Sequence, residues 1–123
     1  MLRRRMVHVL SFVLCLLAAA GGADRRFEVT ASRYKFEPPL LEVTEGERVL
    51  VTLRSNDVEH GWAIKKLKLK TVVPSGGQAV HLEFVAGKPG TYVITCSEYC
   101  GKGHSRMTGK LVVKPRAAPG GGR

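Results

Sequence analysis

The chain has 123 residues, which allows one compact core, and its 44% hydrophobic and 7% aromatic content is ordinary for a globular protein. The formal net charge of +10 makes it strongly basic, but it carries no nucleic-acid recognition motif. We therefore predict a single small domain and no nucleic-acid partner.

The N-terminus has the features of an export signal. Three arginines at positions 3–5 precede an apolar stretch over residues 6–20, and small residues follow at 18–23. As a helix the apolar stretch would reach about 22 Å, short of the roughly 30 Å of bilayer hydrocarbon. We predict a cleaved signal peptide over residues 1–23 and a periplasmic domain. The alternative is an uncleaved membrane anchor with the arginines on the cytoplasmic side.

Downstream of residue 23 the apolar pattern predicts strands and no helix. Apolar residues alternate with polar ones around positions 27–31, 41–43, 49–53 and 80–84, and short apolar runs lie at 91–95 and 110–114. Glycine and proline separate the runs, as in a sandwich or barrel. We predict an all-β, Greek-key sandwich or barrel over residues 24–114. His81 falls on the polar face of its strand and is interpreted as a surface histidine.

A basic run covers residues 65–70. Its alternation predicts a solvated strand face that carries Lys66, Lys68 and Lys70, with Leu67 and Leu69 opposite. The same run, including Lys65, would suit contact with anionic lipid headgroups, where each basic residue contributes about 1 kcal/mol. A possible membrane-surface contact is therefore kept as an expectation.

Residues 96–107 concentrate soft metal donors in one short segment. Two cysteines, Cys96 and Cys100, are followed by His104 and Met107, and His60 lies upstream. Thiolate, thioether and imidazole together favour copper over hard cations. The segment that ends the chain, residues 115–123, is rich in proline and glycine and is predicted to be disordered.

The number of cysteines affects how many metal ions the site could bind. One thiolate, two imidazoles and a weak methionine already make a mononuclear blue-copper site, and His60, Cys100, His104 and Met107 would supply it. Cys96 is surplus for one ion, whereas two thiolates can bridge a pair of coppers. Alternatively, the two cysteines would form a disulfide or a redox-active thiol pair, which would need neither histidine nor methionine.

The spacing Cys-x3-Cys-x3-His-x2-Met, with a histidine about 36 residues earlier, resembles the dinuclear CuA site of cytochrome c oxidase subunit II and of nitrous oxide reductase. The resemblance implies a cupredoxin fold with a ligand loop between the last two strands and His60 on a neighbouring loop. It also implies the ligands. Cys96 and Cys100 would bridge two coppers, His60 and Met107 would complete one ion, and His104 with the backbone carbonyl of Glu98 would complete the other.

The function implied by the resemblance is relay of single electrons from a donor such as cytochrome c to a terminal oxidase or another reductase, without bond-making chemistry in this chain. A basic domain would repel a cationic donor overall, so an acidic or neutral donor is as plausible. The alternative is a periplasmic copper-binding or copper-delivery protein that uses the same ligands outside an oxidase. A thiol-disulfide protein is the third reading.

Overall fold

The computed structural model describes residues 24–117. The predicted signal or anchor over residues 1–23 and the end of the predicted tail, residues 118–123, lie outside this range. Nine strands form two sheets, and no α-helix occurs between residues 24 and 117, so no helix in that range is long and apolar enough to cross a membrane. The predicted all-β sandwich or barrel is confirmed. The strands are β1 Asp24–Ser32, β2 Lys35–Glu37, β3 Leu40–Thr44, β4 Arg48–Ser55, β5 His60–Ile64, β6 Leu69–Val73, β7 Val80–Val85, β8 Gly90–Thr95 and β9 Thr108–Lys114.

The two sheets differ in size and connectivity. The four-stranded sheet has the order β2-β1-β4-β7, and the five-stranded sheet has the order β3-β9-β8-β5-β6. The pairs β1 with β4 and β3 with β9 are parallel, and the other pairs are antiparallel. Each parallel pair joins strands that are distant in the sequence, so contacts between remote segments define the barrel.

Alternating apolar residues supply most of the core. On β4, Val49, Val51 and Leu53 are buried while the residues between them are partly or fully exposed, as expected for strands with one face against the interior. On β9, Leu111 and Val113 are likewise buried, and the residues beside them are exposed or partly exposed. Each large apolar side chain that is fully buried contributes about 1.5–3 kcal/mol relative to exposure.

Strand β5 departs from this pattern. All five of its residues, His60–Ile64, are buried, because β5 lies inside the sheet between β8 and β6 and is covered on both faces. The prediction that His60 lies on a loop was therefore wrong: it is the first residue of β5 and pairs with Val73. Trp62, in the middle of the strand, is fully buried, and its indole N–H makes no hydrogen bond within residues 24–117.

The basic run also differs from its prediction as a strand face. Lys65–Leu67 form a 3₁₀ turn that Lys68 ends in the left-handed conformation, with φ of 55°, and β6 begins at Leu69. The turn follows from topology, because the chain must reverse here for β6 to pair antiparallel with β5. The lysines are nevertheless exposed and Leu67 and Leu69 half-buried, as the alternation indicated.

Candidate metal centre

The predicted ligand loop, residues 96–107, joins β8 to β9 as expected. Its ends are held together, because the Cys96 amide donates to the Met107 carbonyl at 3.2 Å. Between them the chain turns sharply at Gly101, whose φ of +134° is a conformation open to glycine. A 3₁₀ turn, His104–Arg106, then returns the chain to β9. The loop is therefore closed by backbone contacts of its own.

Three sulfur atoms meet inside this loop. The Cys96 and Cys100 Sγ atoms lie 3.5 Å apart, and Met107 Sδ lies 3.8 Å from Cys100 Sγ. All three side chains are almost completely buried. Both cysteines are free thiols, and their separation far exceeds the roughly 2.05 Å of a disulfide. The structure thus brings together the three predicted sulfur donors.

Nitrogen and oxygen atoms complete the cluster. His60 Nδ1 lies 3.9 Å from Cys96 Sγ, and His104 Nδ1 lies 3.7 Å from Cys100 Sγ. The backbone carbonyl oxygen of Glu98 lies 3.1 Å from Cys96 Sγ. His60 is fully buried, whereas His104 is half-exposed and its ring packs against the exposed Tyr99, with centroids 5.7 Å apart. All six predicted ligand positions therefore lie at one place, and of these residues Glu98 and His104 are partly exposed while the other four are buried.

These separations fit a shared transition-metal ion. Two donors about 2.0–2.3 Å from a common ion lie about 3.3–3.8 Å apart at a tetrahedral angle, close to the spacings between the sulfur and nitrogen atoms here. The metal-ligating atoms of His60, Cys96 and Cys100 all lie within 4.8 Å of one another. Soft sulfur with imidazole is the donor set that copper prefers. The donors fit a copper site.

Burial affects the protonation of the cluster. It raises the pKa of the Cys100 thiol to about 11, and the adjacent Cys96 thiol acts in the same direction. The Cys100 thiol is therefore neutral at neutral pH in the absence of metal, since burial and the neighbouring thiol both disfavour its charged form. Copper binds thiolate, so loading the site must release protons.

Asp57, in the turn between β4 and β5, orients His60. Its Oδ1 lies 2.7 Å from His60 Nε2, which leaves Nδ1 facing the thiols. Burial would by itself raise the pKa of Asp57, but hydrogen bonds from the Arg33 amide and the His60 ring outweigh it and lower the pKa to about 2. A carboxylate on the outer nitrogen of a ligating histidine fixes its tautomer and ring orientation. This role was not predicted from the sequence, although the Asp-x2-His spacing in a turn could have indicated it.

Asp57→Ala is expected to weaken copper binding about 10- to 100-fold, the usual cost of losing such a partner. His60 would keep its place in β5 but lose the contact that aligns its ring. The dissociation constant from competition with a copper chelator measures the effect, and Glu59→Ala, an exposed neighbour, is the matched control. Equal affinities for Asp57→Ala and the parent chain would contradict this role.

Two further residues, Arg33 and Tyr34, lie in the turn between β1 and β2 of the four-stranded sheet and contact the ligand loop. The Arg33 amide donates to Asp57 Oδ2 at 2.8 Å, and its Nε donates to the Cys100 carbonyl at 2.9 Å. The Tyr34 ring lies so close to Gly101 and Gly103 that a side chain at either position would collide with it. Sequence spacing could not reveal these contacts, because they depend on how the β1–β2 turn packs against the loop.

Known proteins with similar sequences and structures identify the family to which this fold belongs. The model of the cupredoxin-like domain family matches residues 5–113. Cytochrome c oxidase subunit 2 of Thermus thermophilus is 33% identical over 87 residues, which is 70% of this chain and 63% of that protein. The chain therefore spans less than two thirds of this relative's length.

Solved structures show the same architecture. One chain of a haem-copper terminal oxidase dimer superimposes with a TM-score of 0.65 at 29% identity, covering 74% of this chain and 65% of that one. The periplasmic domain of subunit II of cytochrome oxidase from Bradyrhizobium japonicum gives the same TM-score at 19% identity, covering 74% and 84%. With the family match over most of its length, the chain belongs to the cupredoxin-like family.

Proposed function

We propose that this chain is an exported electron-transfer protein whose domain, residues 24–114, holds a dinuclear copper centre of the CuA type. Cys96 and Cys100 would bridge the two ions. His60 and Met107 would complete one ion, and His104 and the Glu98 carbonyl the other. Two coppers that share bridging thiolates supply a one-electron couple in which the charge change spreads over both metals, so little rearrangement accompanies each transfer.

One observation carries the proposal: two free cysteine sulfurs 3.5 Å apart, each with a different histidine nitrogen within 3.9 Å. A mononuclear site needs one cysteine, and here both face the same space. The Met107 sulfur lies 3.8 Å from Cys100 Sγ, and the Glu98 carbonyl oxygen lies 3.1 Å from Cys96 Sγ. This set matches two ions with two thiolates, one imidazole and one weak ligand each.

The protein's part in electron transfer is to keep these donors in place. Burial of Cys96, Cys100 and Met107 excludes water from the sulfurs. The loop's backbone hydrogen bonds and the Asp57 carboxylate hold the ligands at fixed positions, so the loop need not move when charge changes. His104, at the solvent side, is where a partner would come closest to the centre.

The partners follow from the same proposal. The similarity to cytochrome c oxidase subunit 2 supports a terminal oxidase, or another reductase, as acceptor and a protein such as cytochrome c as donor. The export-signal features of residues 1–23 support a periplasmic location, with the domain released by cleavage or tethered by an uncleaved segment. Oxygen chemistry would then belong to another subunit.

Copper content and electron paramagnetic resonance test the proposal. After anaerobic reconstitution of the full-length chain, we expect about two coppers per chain and one unpaired electron with hyperfine coupling to both nuclei, as two thiolate-bridged ions require. One copper per chain with coupling to a single nucleus would overturn the dinuclear assignment. A chain that binds no copper, with Cys96 and Cys100 oxidised to a disulfide, would instead support thiol chemistry.

Copper delivery is the second candidate, and one observation favours it. A surface groove is lined in part by Cys96, His104 and Met107, so a copper carrier docked there would lie beside three of the donors. The same reconstituted sample distinguishes the two functions. An electron relay retains its copper through repeated reduction and oxidation in the presence of a Cu(I) chelator, whereas a delivery protein loses it.

A further inference from the structure

The groove beside the proposed copper centre has an unusual charge. It has a volume of about 650 Å³, and its walls include Lys65, Lys68 and Lys70 as well as Cys96, His104 and Met107. A cluster of three lysines therefore adjoins three of the proposed ligands.

Little in the protein neutralises these lysines. Lys70 Nζ lies 3.9 Å from a Glu98 carboxylate oxygen, with the lysine side chain 62% exposed, and such an exposed pair contributes little and is screened by salt. Within residues 24–117, neither Lys65 nor Lys68 makes an ion pair. The groove therefore presents its positive charge to the solvent.

The backbone of the turn also holds Lys68 in a left-handed conformation that glycine adopts at lower energy. Lys68 has a φ of 55°, the single non-glycine residue between 24 and 117 with positive φ. Bulky residues adopt this conformation at an energetic cost that glycine does not incur. A lysine there keeps a cation at the groove at the expense of backbone strain.

We propose that the groove is the docking surface for an acidic electron-transfer protein, whose carboxylates would contact Lys65, Lys68 and Lys70. This inference rests on the proposed electron relay and names the chemistry of its partner. Complementary charge speeds encounter and sets orientation, and a partner seated here would lie against His104 and Met107. A cationic donor would be repelled from this surface.

An anionic membrane is the competing occupant, and the structure favours it less. Interfacial membrane binding combines basic residues with apolar side chains that insert into the lipid. Leu67 and Leu69, which accompany the lysines, are half-buried and pack against the core. The groove is also concave, which suits side chains of a protein surface better than a flat lipid plane.

The test uses full-length, metal-free chain, so its result does not depend on copper. A groove variant, K65Q/K68G/K70Q, removes three charges, and glycine at position 68 relieves the backbone strain. The control variant, K88Q/K114Q/R116Q, removes three charges at the opposite end of β8 and β9, where Gly90 pairs with Val113. Binding of a fluorescein-labelled heptaglutamate peptide is measured by anisotropy at low ionic strength.

We expect the groove variant to bind the peptide about tenfold or more weakly, since three close charge contacts are lost, and the control variant to bind much like the parent. Equal weakening in both variants would overturn the proposal, because it would show a response to net charge alone. Loss of binding to phosphatidylglycerol vesicles with unchanged peptide binding would also overturn it, in favour of the membrane. Lys68→Gly alone, which should fold at least as well as the parent, guards against unfolding as the cause.

A second readout tests the link to electron transfer. The copper-loaded, reduced chain gives up one electron to hexacyanoferrate(III), an anion, or to tris(phenanthroline)cobalt(III), a cation. The groove variant should slow the first reaction about tenfold and leave the second equal or faster. Unchanged rates with the anion, alongside lost peptide binding, would show that the groove binds anions without serving electron transfer. Failure to load copper at all would overturn the proposed function, but it would not affect the peptide-binding result, which is measured on the metal-free chain.

Discussion

Cys100→Ser is expected to lower copper content from about two ions per chain to one or none, and to abolish hyperfine coupling to two nuclei. Cys100 is the centre of the donor cluster. Its sulfur lies 3.5 Å from Cys96 Sγ, 3.7 Å from His104 Nδ1 and 3.8 Å from Met107 Sδ. Serine is nearly the same size, but its hydroxyl stays protonated and is a hard ligand that suits copper poorly. Copper analysis and electron paramagnetic resonance measure the change.

His81→Ala is the control for this variant. His81 is an exposed residue of β7 that contacts Thr52, as the prediction of a surface histidine required, and its loss should leave two coppers per chain. A Cys100→Ser chain that kept two coppers and the parent spectrum would show that Cys100 does not bridge. Cys96→Ser should behave like Cys100→Ser, because each thiolate bridges both ions in the proposal.

Gly61→Ala is expected to destabilise the domain by about 1–3 kcal/mol, the usual cost of overpacking, and to weaken copper binding at the same time. A Cβ at position 61 would lie 2.7 Å from the Glu98 amide nitrogen and 2.8 Å from that of Ser97. These are backbone atoms just after Cys96, so relief requires the ligand loop to move away from β5. Such a shift would separate His60, the neighbour of Gly61, from Cys96.

Gly87→Ala is the matched control, because a Cβ there meets nothing within 4 Å and Gly87 does not adopt positive φ. Thermal unfolding with and without copper measures both effects. For a domain of this size each 1 kcal/mol corresponds to roughly 4–8 °C in Tm. If Gly61→Ala unfolds at the parent temperature and binds copper equally well, the close approach of β5 to the loop is not needed for the site.

Much of the site could be predicted from the sequence because five of its six donors lie in one short loop. Cys96, Glu98, Cys100, His104 and Met107 fall within residues 96–107, and a loop that short between two adjacent strands must keep its side chains together. Whether these atoms bind two ions stays a prediction. Arg33 and Tyr34 could not be assigned roles from spacing, because their contacts form only when the β1–β2 turn packs against the loop. Asp57 is different, because it lies three residues before His60 and that spacing could have indicated its role.

The fold, like the site, could be predicted from the sequence only in part. Strands with one buried face, such as β4 and β9, alternate and were predicted. Strand β5 has both faces buried, so it has no alternation to detect, and the placement of His60 on a loop came from the family resemblance alone. In residues 65–70 the alternation of exposure was correct but the backbone was not, because a 3₁₀ turn can expose the same residues as a strand.

The proposed ligands all come from one sheet. β5, β8 and β9 are neighbours in the five-stranded sheet and bear His60 and both ends of the loop, whereas the four-stranded sheet provides only supporting contacts through the turns after β1 and β4. Mutations on the outer face of the four-stranded sheet therefore leave the metal ligands unchanged, and selection for metal binding does not act on them. That half of the barrel can diverge in evolution, acquiring new surfaces while the donor set stays constant.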